Sequence, residues 1–400
     1  MEERTFAYIL KISERIARAS KVKKLRPLSK EIAENVLKRE GVIIIPGVRG
    51  SGKTTLLSEL YSKEKNAIFI NAEVLAKQGV SLLDYLHYSY AKGFRVFLID
   101  EIHILPEWEK DVKIFYDETK SKIVISGSSA IALRVKGSEL SRRATFYELK
   151  PLSFREYLYF RVGRNFPKRR LEYLLDLKKR RKLEKMVVPY LDYFLPYLQF
   201  DALPAAFFER KEDVYINIVE RTLRYDLAYI RPIDNFYIDV SYKILKFISL
   251  SPPSKVSYSR ISSQFGVSIN FVRDLLYSLE QTGIIYRVAP YGKGKVRKEE
   301  KVLMPLSFRS ALCLHYNENP DKGGLREDFF VQHVGKCFYF KTGIERRTPD
   351  FVVDDCVFEI GGPSKGFEQI KKYKKAFLVK EAILLEKEKE VPIYLFGFLY

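Results

Sequence analysis

The segment that most constrains the fold is residues 47–54, GVRGSGKT, which fits the pattern GxxxxGK[ST] at every fixed position. The apolar run 42–45 before it predicts a buried strand, and residues 54–60 after it predict the start of a helix. Glycine has no Cβ, so successive backbone N–H groups in such a loop can turn inward around an anion. A loop of this kind between a strand and a helix indicates a site for the phosphates of a nucleotide.

Lys53 is the cation of this loop and is expected to contact the β- and γ-phosphates. The alternative is a glycine-rich surface turn beside a lysine, which would need neither the strand nor the helix. The residues expected to bind the nucleotide are Gly47, Val48, Arg49, Gly50, Ser51, Gly52, Lys53, Thr54 and Thr55.

Residues 94–101 contain the second apolar run and predict a strand that ends in two acids, Asp100 and Glu101. Phosphoryl transfer uses a magnesium ion held by a loop hydroxyl and an acid on a neighbouring strand, so Thr54 and Asp100 are predicted to hold Mg²⁺. Glu101 is predicted to orient or activate the attacking water. An ordinary surface loop is the alternative for an isolated Asp-Glu pair, but a complete phosphate loop precedes this one.

Polar residues after a third predicted strand, 122–125, complete the predicted catalytic set of Glu101, Lys53, Ser126 and Arg143. Ser126 is expected to sense the γ-phosphate, whereas Ser129 is expected to cap the next helix. Arg143 is expected to neutralise charge on the transferred phosphoryl group, within the chain or from a neighbouring subunit. A solvated basic turn at 142–143 is the alternative.

Five segments together carry a family resemblance: GVRGSGKT at 47–54, LIDEIH at 98–103, PEWE at 106–109, SGSS at 126–129 and LKPLSFRE at 149–156. They resemble a prokaryotic family of AAA-type ATPases. That family joins its ATPase domain to a C-terminal winged helix and a PD-(D/E)XK nuclease-like domain of unknown function. The resemblance covers most of the chain, least clearly residues 157–231.

The resemblance implies an α/β fold with a parallel sheet flanked by helices, and ATP and Mg²⁺ as cofactors. It implies a separate strand between the phosphate-loop strand and the metal strand, and residues 66–70 fit the edge strand. It also supports Arg143 as the trigger arginine, although Arg142 stands where many relatives have a small residue, which leaves the choice open. The expected domains are 1–157 ATPase, 158–235 basic helical linker or lid, 236–305 winged helix and 306–400 nuclease-like.

Composition bounds the class of protein. A chain of 400 residues with 46% hydrophobic content predicts two or three domains with ordinary cores. No apolar stretch approaches 18 residues and the N-terminus lacks a signal-peptide layout, so we expect a cytoplasmic protein without membrane contact. The formal charge of +20 concerns partners and not the fold.

Positive charge concentrates in residues 161–185, which contain eleven Lys and Arg against three acids. On a helix this density makes a basic face suited to a nucleic-acid backbone. A solvated helix, or a contact with an acidic protein or another subunit, is the alternative. Double-stranded DNA is the expected partner, with a protein partner or self-association as the other possibility.

Residues 242–305 predict a winged helix, with helices at 257–265 and 269–281 joined by a turn and followed by strands. The second helix of such modules enters the major groove and the wing contacts the backbone. A protein-docking or spacer role is the alternative. The residues expected to contact DNA are Arg273, Lys293, Lys295, Arg297 and Lys298.

The C-terminal part contains Asp350 and Glu359, spaced as the paired acids of the nuclease fold, with Glu327 as a possible further ligand. They are a possible second metal site. The expected lysine is replaced by Gly361, so Lys365 would have to fold back to substitute for it. We therefore favour a nuclease-like fold retained for packing or DNA contact over active cleavage.

The sequence thus predicts a Mg²⁺-dependent ATPase whose nucleotide state is coupled to DNA binding, with helix 106–118 transmitting the change. Two rival functions remain: an ATP-dependent DNA nuclease, and a slow nucleotide-gated signalling switch with a protein partner.

Overall fold

The chain divides into two compact units. The computed structural model describes residues 1–127, 140, 142–207, 211–229, 232–252, 255–292, 299–340, 348–382 and 386–400. The first unit contains Met1–Lys150, Tyr225–Pro232 and Gln281–Gly283. The second contains Pro151–Arg224, Ile233–Glu280 and Ile284–Tyr400. The predicted ATPase segment, 1–157, overlaps the long stretch of the first unit, Met1–Lys150, and all four predicted domain boundaries stay predictions.

A five-stranded parallel sheet forms the centre of the first unit. Its strands are β1 (Val42–Pro46), β2 (Ala67–Asn71), β3 (Val96–Asp100), β4 (Lys122–Gly127) and β5 (Ala144–Phe146). Their order is β2-β3-β4-β1-β5, so β4 lies between the loop strand β1 and the acid-bearing strand β3. This order confirms the α/β fold, the inserted strand and the edge position of β2. β1 to β4 are buried along their whole length, as expected of parallel strands covered on both faces.

Helices flank this sheet. They are α1 (Glu3–Ala19), α2 (Pro27–Leu37), α3 (Lys53–Lys63), α4 (Ala72–Lys77), α5 (Leu82–Ala91) and α6 (Trp108–Thr119). The helix predicted at 106–118 is α6, which starts at Trp108 because Glu107 adopts a left-handed conformation at φ 50°. Two single-turn 3-10 helices, Ile102–Ile104 and Asp226–Tyr229, also belong to this unit.

The second unit is rich in helices. They are α7 (Phe154–Val162), α8 (Leu171–Leu175), α9 (Leu177–Val187), α10 (Phe194–Gln199), α11 (Lys211–Arg224), α12 (Asn235–Leu250), α13 (Tyr258–Phe265), α14 (Ile269–Thr282), α15 (Phe308–His315) and α16 (Lys322–Val334). None of the helices that the structure describes is both long and apolar enough to cross a membrane.

Two sheets accompany these helices. Their strands are β6 (Lys255–Ser257), β7 (Tyr286–Val288), β8 (Glu299–Leu303), β9 (Phe338–Tyr339), β10 (Phe351–Val353), β11 (Cys356–Gly361), β12 (Ala376–Lys380) and β13 (Glu390–Pro392). The smaller sheet is antiparallel in the order β6-β8-β7. The larger has the order β13-β12-β11-β10-β9, and within it β11 to β13 are parallel while β9 to β11 are antiparallel.

α13 and α14 form the predicted helix pair, and Gly266 ends α13 at φ 65°. Of the apolar residues in this helix pair and its turn, Phe265 and Val267 are only half-buried. The fully buried ones are Ile261, Val272, Leu275, Leu276 and Leu279. The predicted wing residues Lys293, Lys295, Arg297 and Lys298 lie outside the described residues. The winged-helix assignment therefore stays a prediction.

Candidate nucleotide-binding site

The loop between β1 and α3 requires glycine at several positions. Gly50 and Gly52 have φ values of 81° and 98°, in the left-handed region that glycine adopts at no steric cost. A Cβ added to Gly47 would overlap the carbonyl oxygen of Leu149. The glycines of the pattern therefore allow both the turn of this loop and its close packing against the chain after β5.

Lys53 begins α3, and its side chain turns back into the loop. Its Nζ donates to the carbonyl oxygens of Gly47 at 2.9 Å and Val48 at 3.1 Å. Burial lowers the pKa of Lys53, while the nearby charges of Glu101 and Asp100 act in the opposite direction. The ammonium thus lies where the loop would surround phosphate groups.

Arg26 supports the loop from outside, a role that no sequence motif indicates. It is buried, and its Nη1 donates to the carbonyl oxygens of Ser51 at 3.0 Å and Lys150 at 2.8 Å. Arg26 therefore links the phosphate loop to the segment that leaves the first unit.

Asp100 joins two hydroxyl groups, one from the first turn of α3 and one from the end of β4. Thr54 Oγ1 donates to its Oδ2 at 2.8 Å, and the Ser126 hydroxyl donates to its Oδ1. Burial, followed by the adjacent charge of Glu101, raises the pKa of Asp100 to about 6. Two adjacent carboxylates with a hydroxyl beside them offer the hard oxygen ligands that Mg²⁺ prefers. Thr54 and Asp100 therefore fit the predicted metal.

Glu101 is held in a left-handed conformation with φ 57° and ψ 36°, which is uncommon for a residue other than glycine. Such backbone conformations concentrate at functional sites. Its Oε2 lies 3.6 Å from His103 Nδ1 and 4.0 Å from Arg49 Nη2. The side chain thus faces an imidazole ring and a guanidinium beside the loop.

Asp226 completes this group, and no sequence motif pointed to it. Its Oδ1 lies 3.5 Å from Arg49 Nη2 and 4.0 Å from His103 Nε2. The charge of Asp226 also opposes the lowering of the Lys53 pKa by burial. Burial lowers the pKa of His103.

Arg143 stands apart from the loop. It immediately precedes β5, whose Ala144 pairs with Val42 at the start of β1, and it forms a bidentate ion pair with Asp117 on α6 at 2.8 and 3.0 Å. The loop follows the other end of β1, on the order of 15 Å away at about 3.3 Å per residue. Arg143 is thus beyond the reach of the loop in its own subunit. Arg142 is exposed, and Ser129 lies outside the described residues.

The C-terminal acids lie near two lysines. Lys301 forms an ion pair with Glu327 and lies 3.9 Å from Asp350 Oδ1. Burial raises the pKa of Glu327 to about 8, and burial with the nearby Asp350 raises that of Glu359 to about 7. In the described part of the chain, no three acids, histidines or cysteines are grouped so that they could hold a metal ion. Glu327 is therefore not placed as a third ligand.

Lys365 does fold back to the position for which Gly361 leaves room. Its Nζ lies 2.5 Å from Glu359 Oε1, and a Cβ on Gly361 would overlap Cβ and Cγ of Lys365. The glycine in place of the expected lysine is thus the condition for this contact. Ile360 donates its N–H to Asp350 Oδ2 at 2.8 Å, which holds Asp350, the residue before β10, against β11, where Glu359 lies.

The basic segment, residues 161–185, includes most of α9. The cationic side chains of this helix are exposed, except for that of Arg180. Arg180 is buried, and its Nη2 donates to the carbonyl oxygens of Lys387, Glu388 and Glu390. The cationic residues of α9 that remain exposed are Lys178, Lys179, Arg181, Lys182 and Lys185.

Two family descriptions match parts of the chain. Residues 39–158 match the family described as an AAA domain. Residues 203–305 match a domain of unknown function, DUF8612. The first match spans the loop and both acids, and the second spans Asp226 together with α13 and α14.

Two related proteins share more of the chain. An uncharacterized protein of Methanocaldococcus jannaschii is 26% identical over 389 residues, which cover 88% of this chain and 82% of that protein. An uncharacterized protein of Haemophilus influenzae is 26% identical over 282 residues, which cover 64% of this chain and 65% of that protein. The similarity to the first protein therefore extends beyond the AAA domain.

Two solved structures align at low similarity. The AMPPCP-bound DnaA of Aquifex aeolicus aligns with 64% of this chain and 86% of its own, at 16% identity and a TM-score of 0.24. A STAND protein with a tetratricopeptide repeat sensor from Pyrococcus horikoshii aligns with 78% of this chain and 45% of its own, at 15% identity and a TM-score of 0.26. The match over residues 39–158, the parallel sheet and the loop lead to one assignment. This segment forms an AAA-type P-loop ATPase domain, a class that binds and hydrolyses nucleoside triphosphates.

Proposed function

We propose that the protein is a Mg²⁺-dependent ATPase that couples its nucleotide state to the binding of double-stranded DNA. The second unit would bind the DNA through a winged helix at α13 and α14 and a nuclease-like domain at the C-terminus. The observation that carries the ATPase part is the 2.8 Å hydrogen bond from Thr54 to Asp100, with Glu101 following directly. This contact joins the loop and the acids into one site.

The residues of the loop would divide the work of phosphoryl transfer. Lys53 neutralises charge on the β- and γ-phosphates, and the inward N–H groups of the loop bind the same oxygens. Thr54 and Asp100 hold Mg²⁺, which when bound neutralises charge that develops on the phosphate oxygens. Glu101 orients the attacking water and accepts its proton.

Ser126 and Arg143 would act on the γ-phosphate from two directions. Ser126 pairs with Ile45 at the end of the central strand β4, next to the loop, and this position suits a γ-phosphate sensor. Arg143 lies at the amino-terminal end of the strands, and the loop lies at their carboxyl-terminal end. We therefore assign Arg143 to the nucleotide of a neighbouring subunit.

The exposed cations of α9 support a DNA partner. Arg180 anchors the helix through backbone carbonyls, so its neighbours are presented on a fixed support. On α14, Arg273 is exposed and donates to Asn270 Oδ1 at 2.9 Å, so both side chains lie on the solvent face. A helix presenting such side chains suits the major groove.

DNA binding is tested by measuring the affinity for a DNA duplex at increasing salt concentration. Each neutralised phosphate adds about −0.9 to the slope of log affinity against log salt, because its counterions are released. The variant Lys178→Gln/Lys182→Gln is expected to reduce the slope by up to about 2, because two contacts are lost. The control Lys77→Gln/Lys113→Gln removes two exposed charges from the first unit and should leave the salt slope unchanged. A flat slope in the wild type would instead favour the switch with a protein partner.

A second candidate function, DNA cleavage, is favoured by the contact between Lys365 and Glu359. It places an ammonium beside the paired acids, where a nuclease would stabilise the charge of the cleaved phosphate. The test is Mg²⁺-dependent cleavage of linear and supercoiled DNA by the wild type, with Asp350→Ala, Glu359→Ala and Lys365→Met as controls. Cleavage by the wild type that all three variants lose would establish this function. Intact DNA with the wild type would leave only DNA contact or packing for this domain.

A further inference from the structure

Asp226 joins the side-chain group formed by Arg49, Glu101 and His103, although it lies far from all three in sequence. Its side chain is only 5% exposed and faces Arg49 and His103. The segment that carries it, Tyr225–Pro232, belongs to the first unit, whereas α11 before it and α12 after it belong to the second. The chain thus returns to the nucleotide site for a few residues and places a buried carboxylate there.

Arg49 and His103 each face both Asp226 and Glu101. Arg49 Nη2 is 3.5 Å from Asp226 and 4.0 Å from Glu101, and the two ring nitrogens of His103 are 4.0 and 3.6 Å from the same carboxylates. Because burial favours the neutral ring of His103, the Arg49 guanidinium is the main positive charge between the two acids. The attraction of Arg49 to Glu101 is therefore shared with Asp226.

We propose that Asp226 is a positioning residue for ATP hydrolysis, which draws Arg49 away from Glu101 and keeps the Glu101 carboxylate available to the attacking water. The same negative charge, which lies beside Arg49 of the loop, opposes the binding of the additional charged phosphate of ATP. This inference rests on the proposed ATPase function. It gives Asp226 two separable effects, on the rate of hydrolysis and on the preference between ATP and ADP.

The test is Asp226→Asn, which removes the charge and keeps the size of the side chain. Arg49 would then pair with Glu101 and also become available to the γ-phosphate. We expect kcat to fall about tenfold or more, while ATP binds about three- to tenfold more tightly relative to ADP. The affinities for ATP and ADP are measured by calorimetry under conditions without turnover. A parallel series of titrations replaces Mg²⁺ with EDTA. Asp192→Asn, an exposed site in the second unit, is the matched control and should change neither value.

Asp226→Glu retains the charge and should keep the wild-type ratio of ATP to ADP affinity. Asp226→Ser removes the charge with a smaller side chain, and it serves if the Asn variant does not fold. The proposal is overturned if kcat is unchanged, or if kcat and ATP affinity fall together as a structural defect would cause. A wild type that binds but does not hydrolyse ATP would refute the proposed ATPase, whereas the affinity ratio would still test the charge effect of Asp226.

Discussion

Glu101→Gln is expected to lose most of its ATP turnover and to retain ATP binding. The amide has nearly the same shape as the carboxylate but cannot accept a proton from the attacking water. General-base catalysis contributes about 10²- to 10⁴-fold, so kcat should fall by that factor. Arg49 and His103, which lie beside Glu101, can still hold the glutamine side chain in place. Steady-state phosphate release and equilibrium ATP titration measure the two quantities.

Glu34→Gln is the matched control for this substitution, because Glu34 is exposed on α2 away from the loop. It should hydrolyse ATP at the wild-type rate. Turnover by Glu101→Gln within a factor of two of the wild type would show that another group activates the water.

Lys53→Ala is expected to lose nucleotide affinity. A charge-assisted hydrogen bond contributes about 2 kcal/mol, which corresponds to a loss of affinity of roughly 30-fold or more. The fold should persist, because burial already disfavours the ammonium of Lys53 and no carboxylate among the described residues forms a short ion pair with it. Calorimetric titration with ATP and ADP measures the loss, and a thermal melt verifies the fold.

The control for this substitution is Lys63→Ala at the end of the same helix α3. Lys63 is half exposed and pairs with Glu59 across one helical turn, so its loss should change affinity little. Retention of wild-type ATP affinity by Lys53→Ala would remove the loop from the nucleotide site.

The loop and the acids were predictable because their signals are local. The pattern at 47–54 and the apolar runs that end at Pro46 and Asp100 specify a strand, a turn and a helix through neighbouring residues alone. Parallel strands present their carboxyl ends at one end of a sheet. The contact between Thr54 and Asp100 therefore followed from the parallel sheet that the family resemblance implies.

Arg26 and Asp226 could not be predicted in the same way. Each comes from a segment without a motif, and only the packing of the chain brings it to the loop. Arg180 presents a similar case, because a basic run gives no indication of which of its members is buried. By contrast, the position of Arg143 was available from the sequence. A residue that precedes a strand parallel to β1 lies at the amino-terminal end of the sheet, whereas the loop lies at its carboxyl-terminal end.

The central claim is that nucleotide state and DNA binding are coupled, and one measurement tests it most directly. DNA affinity is determined at a single salt concentration for Glu101→Gln saturated with ATP and Mg²⁺, and again saturated with ADP and Mg²⁺. Coupling between two sites usually amounts to about 1–3 kcal/mol, so we predict affinities that differ by about fivefold or more. Equal affinities in the two nucleotide states, with both nucleotides shown to be bound, would contradict the account.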